Sequence, residues 1–192
     1  MRTINSQFDS VHRDVLALAA ACPAEQAIVV LHSGGSSGPW ARWSLLAAPK
    51  GHLKILDDGY RWSGPSWPEL EEALEKVAPH DPLAIMDAAI AADRATGIPQ
   101  SPSLPFIGGW VISLRYELGA HIETAVGAGS ALPRGVLADF LWCPDATLHD
   151  AHSDNWWSIG EPISCGGTTD NRISLQLDEW SSHPDQRGFE EA

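Results

Sequence analysis

No stretch of this sequence reaches about 18 uninterrupted apolar residues, so no segment is long enough to cross a bilayer as a helix. The opening MRTINSQFDS lacks the apolar core of a secretory leader, and a cytoplasmic chain is the expectation. Positive charge is scarce: 12 Lys+Arg stand against 25 Asp+Glu, a formal net charge of −13. A surface of that sign repels DNA, RNA and anionic lipid, so neither nucleic acid nor a membrane is expected as a partner. Cysteine is sparse too. Cys22, Cys143 and Cys165 are an odd, widely spaced set without a CxxC, which reads as reduced thiols rather than a disulfide frame or zinc cage. Repeats and low-complexity tracts are missing. What remains, 44% hydrophobic and 19% charged over 192 residues, suits one ordinary domain.

Three segments carry helical signals. Val11, Val15 and Leu18 recur at helical spacing from about Ser10, before an alanine run that stops at Pro23. Ser66 and Glu69 have capping-box spacing ahead of the apolar stripe Leu70, Leu74 and Val77. Asp81 is a cap for a third helix, with Pro82 in its first turn and Leu83, Met86 and Ile90 expected inward. The rest reads as strands: 27–33, 42–47, 52–56, 110–115, 137–142, 146–149 and 155–159. A turn at Pro49–Gly51 is expected to separate two of them, and a polar hairpin at 150–154 two others. Strands clustering apart from helices predict an α+β fold, mainly antiparallel with helices packed on one side. Residues 1–180 form the expected single domain, and 181–192 a polar linker or frayed tail.

Several patterns suggest chemistry. Gly34–Gly38 fits G-x-S-x-G around Ser36, but a nucleophile elbow must turn into a helix. Pro39 to Ser44 alternates like a strand instead, so a glycine-serine loop is expected there. His149 and His152, with Asp150 and Asp154, have metal-ligating side chains, yet their Ser- and Asp-rich setting predicts a turn. Trp156-Trp157 in a strand must point to opposite faces. Trp40 and Trp43 could plate a ligand or simply pack. Gly108-Gly109 ahead of Trp110 predicts positive φ or a close backbone approach where a strand begins.

In order along the chain stand Leu31-His32-Ser33, Trp40, Arg42-Trp43-Ser44, Pro105-Phe106, Gly108-Gly109, Tyr116-Glu117-Leu118 and Glu123. Asp150 before a turn and Trp156-Trp157 after it close the series. From about Gln26 to Gly160 this pattern resembles the N-terminal domain of component I of the chorismate-using synthases, the aminodeoxychorismate and anthranilate synthase group. His32 stands where anthranilate synthases more typically have Glu, which favours the aminodeoxychorismate branch. An anthranilate synthase component I is the alternative. Ile112, Arg115 and Ala120 depart from residues common in the family.

The resemblance implies that Ser33, Trp40 and Arg42 line a tryptophan pocket, with a structural ion pair as the other role open to Arg42. It implies structural roles for His32, Pro105, Phe106, Gly108, Gly109, Tyr116, Glu117 and Glu123. It implies no catalytic residue, metal ligand or cofactor in this chain, since chorismate and Mg²⁺ belong to a C-terminal chorismate-binding domain that these residues do not contain. That domain and a glutamine amidotransferase are the implied partners, with L-tryptophan as a possible ligand. A free-standing amino-acid-binding regulatory module and a serine hydrolase using Ser36 are the competing expectations.

Overall fold

The structure is a computed structural model and describes residues 4–6, 14–34, 41–95, 104–123, 135–161 and 163. The polar tail expected at 181–192 lies outside them. Among the described residues the fold is α+β, with two antiparallel sheets and four short α-helices. The strands are β1 (Ile4–Ser6), β2 (Val29–Leu31), β3 (Trp43–Ala48), β4 (Gly51–Leu56), β5 (Gly59–Ser63), β6 (Gly109–Leu114), β7 (Val136–Cys143), β8 (Asp145–Asp150) and β9 (Asn155–Ile159). The helices are α1 (Val15–Ala21), α2 (Pro68–Glu75), α3 (Pro82–Ala95) and α4 (Gly119–Ile122). The first sheet has the order β1-β9-β8-β3-β2, the second β5-β4-β7-β6.

Two long strands run through both sheets. Ala48 lies opposite Asp145 at the end of the first sheet, and Gly51 opposite Trp142 at the start of the second. The expected turn at Pro49–Gly51 is therefore a bend, not a hairpin. Pro49 has no N–H to give, but the Lys50 N–H donates to the Trp142 carbonyl at 2.8 Å and keeps the partner strand in register. Strand β5, which the sequence pattern did not mark, turns back from β4 across Asp57-Asp58.

Each sheet has a helical cover on one face. Leu53, Ile55, Ala138 and Phe140 of the second sheet pack under α2 and α3, with Leu70, Leu74, Ile85, Ala89 and Ala92. Leu46 and Trp156 of the first sheet pack under α1, with Val15 and Leu18. Period-two alternation sends the neighbours to the other face, where Leu45, Ala47, Ala146, Leu148 and Ile159 meet Val111 and Leu141 of the second sheet. The result is helix, sheet, sheet, helix.

The caps divide. Asp14 accepts from Ala17 N–H at 2.7 Å and Asp81 from Ala84 N–H at 3.0 Å, so the cap expected at Asp81 forms. The Ser66–Glu69 capping box does not. Trp67 occupies the cap of α2, buried in the core, and its N–H donates to Glu71 Oε1 at 3.3 Å. Met86 and Ile90 pack partly buried against the core as expected, the fully buried positions of α3 are Ile85, Ala89 and Ala92, and Leu83 is exposed. Small alanines admit Trp110, whose indole N–H donates to the Ala89 carbonyl at 3.0 Å.

Candidate functional site

The end of β2, the start of β3 and the β8–β9 hairpin converge at one end of the first sheet. Pairing in register places Ser44 opposite His149 and His149 opposite Trp156. Residues far apart in sequence are thus brought side by side.

His32 and Ser33 sit where β2 ends. The Ser33 hydroxyl donates to the Trp43 carbonyl in a short hydrogen bond, and the Ser33 N–H donates to Ser44 Oγ at 3.3 Å. His32 Nδ1 lies 3.2 Å from the same Ser44 Oγ. These bonds fasten an edge strand whose ladder has only three residues. Ser44 is itself buried, so its hydroxyl needs such partners.

Arg42 pairs with Asp150. Its Nε donates to Oδ1 at 2.9 Å and its Nη2 to Oδ2 at 2.7 Å, the parallel two-bond geometry that suits a planar guanidinium. Asp150 also accepts from the His152 N–H at 3.0 Å and the Ser153 hydroxyl at 2.9 Å. Arg42, with these bonds, holds the Asp150 carboxyl well below the usual carboxylate range despite burial. The guanidinium carbon lies 4.9 Å from the Trp43 ring centroid, a cation–π distance. Of the two roles open to Arg42, the ion pair is formed.

Trp43 in turn lies against Trp157, with centroids 5.3 Å apart. Trp156 points to the other face, as alternation requires, and stacks on His149 at 4.3 Å. His149 lies on a strand rather than in the turn. It is buried on β8, with Nε2 at 2.9 Å from Asp154 Oδ1, while the turn 151–154 stands exposed. Asp154 adopts a positive φ of 55°, which Asp tolerates at a tight turn. Among the described residues, no group of three His, Cys, Asp or Glu side chains is placed to hold a metal ion.

The glycine pair begins β6 as expected, with φ of 89° at Gly108 and 137° at Gly109. A Cβ on Gly109 would lie 3.0 Å from Asp93 Oδ2. Phe106 packs among the residues between the sheets. Tyr116–Leu118 form a 3-10 turn that leads into α4, and the Glu123 N–H closes that helix on the Gly119 carbonyl at 2.8 Å. Tyr116 is almost fully exposed. Glu117 lies within that 3-10 turn, and Pro105 precedes Phe106 in the segment leading to β6. Trp40, like Ser36, lies outside the described residues.

A cleft of about 500 Å³ opens elsewhere, beside the bend at Pro49 and Lys50. Three of its polar side chains are already engaged: Lys50 with Asp145 at 2.6 Å, His52 with Asp139 at 2.7 Å, and the Ser63 hydroxyl with the His52 carbonyl at 3.3 Å. It contains none of the residues singled out from the sequence. Two cysteine states differ from each other. Cys22 is disulfide-bonded, which corrects the expectation of reduced thiols, while Cys143 is a free, buried thiol.

No family model matches the chain, and no curated protein matches it. Among the described residues no helix is long and apolar enough to cross a membrane.

Proposed function

We propose that this chain is the N-terminal, non-catalytic domain of an aminodeoxychorismate synthase component I-like protein. Its parent would join ammonia, delivered by a glutamine amidotransferase, to chorismate on the route to p-aminobenzoate and folate. The chemistry, and the Mg²⁺ it would use, would belong to a C-terminal chorismate-binding domain. The cytoplasm is the location this reading carries. The Cys22 disulfide pulls the other way, because such bonds are uncommon in reducing compartments.

One observation carries the proposal. Part of the pattern behind the resemblance meets at one end of one sheet: His32 and Ser33 bonded to the Trp43-Ser44 strand, and Arg42 bonded to Asp150 of the closing hairpin. A chance string of motifs has no reason to be mutually bonded. The Ser33 hydroxyl and the paired edge of Arg42 bond neighbouring strands, so both residues would act on a ligand by holding the walls of its site in place. Trp43 and Trp157 supply an aromatic surface beside a cation, chemistry that suits an indole and a carboxylate. Tryptophan is accordingly the ligand we assign to this end of the sheet.

Calorimetric titration of the purified chain with L-tryptophan tests that assignment. Binding that is lost in Ser33→Ala and Arg42→Ala variants, each first shown to be folded by circular dichroism, supports it. Binding left unchanged in both folded variants, or no binding by the native chain joined to a chorismate-binding domain, removes tryptophan from the proposal.

A further inference from the structure

We draw no further inference here: the strongest candidate, the surface strip where Ile112 and Leu114 of the edge strand β6 stand exposed with Tyr116 and Ile122 just beyond it, is an unpartnered apolar face, and nothing in the structure shows what covers it.

Discussion

Arg42 and Asp150, 108 positions apart, hold each other through two parallel hydrogen bonds at 2.9 and 2.7 Å. The pair ties the start of β3 to the end of β8, where the ladder between those strands runs out. The carboxyl is almost wholly buried, and half of the Arg42 side chain is exposed.

That asymmetry sets a pH dependence. The folded-state pKa of Asp150 lies below its unfolded value, so its contribution to stability is full above about pH 4. It is lost as pH falls toward the folded value. Asp150→Asn should therefore be less stable at neutral pH and show a shallower loss of stability below about pH 4. Urea unfolding at pH 7 and at acid pH measures both. In a double-mutant cycle the 42/150 coupling should exceed that of Lys76 and Glu72, an exposed helix pair. Equal couplings would show that the buried carboxyl adds nothing.

Trp67 is the hub of an aromatic cluster, 5.6 Å from Trp110, 4.9 Å from Trp142 and 6.1 Å from Trp62. Trp67→Ala should cost about 3–5 kcal/mol, a large share of the roughly 5–15 kcal/mol that stabilises a domain. It should also flatten the near-ultraviolet circular dichroism. Trp156→Ala should spare that cluster's signal, because Trp156 packs under α1 on the other sheet.

Gly109 and Gly119 make a matched test of backbone conformation. Gly109→Ala places a Cβ at a φ of 137° and close to Asp93, and should destabilise by about 1–3 kcal/mol. At Gly119, φ is −55° and a Cβ would meet nothing within 4 Å. Gly119→Ala should be neutral or stabilise by about 0.4–1 kcal/mol. Thermal melts of the two variants read the contrast directly.

Burial pushes the Cys143 thiol up to about 12, with nearby Asp145 adding to the shift. A native chain should therefore resist thiol reagents at pH 8. A raised folded pKa gives stability that is full below the unfolded thiol value of about 8.5. That stability is lost as pH climbs toward 12. Cys143→Ser should remove this alkaline component of the unfolding curve. With Cys22 in a disulfide, the denatured chain should show more reactive thiols after reduction than before it. Three thiols before reduction would return Cys22 to the reduced state expected from the sequence.

Local signals were legible in the residues, and long-range ones were not. Asp81 caps α3 because a cap needs only its own next turn. Trp156 and Trp157 part to opposite faces because a strand's pleat demands it. The Ser66 capping box fails because Trp67, drawn into the aromatic cluster, takes the cap position itself. On α3, Met86 and Ile90 face the core as their spacing suggests, but its buried centre includes Ala89, on which Trp110 docks, a preference no helical period encodes. At the candidate site, Ser33 and Arg42 were visible as polar residues beside a strand. Their partners were not, since the Asp150 pair depends on a register carried through the bend at Pro49 and Lys50.

The central proposal is that these residues support amination of chorismate performed by another domain. Its most direct measurement is aminodeoxychorismate formation from chorismate, ammonia and Mg²⁺, with this chain and a separately produced chorismate-binding domain assayed alone and mixed. We expect no product from this chain alone and a rate in the mixture above that of the chorismate-binding domain. Turnover by this chain by itself, or a mixture no faster than the other domain, would contradict the account.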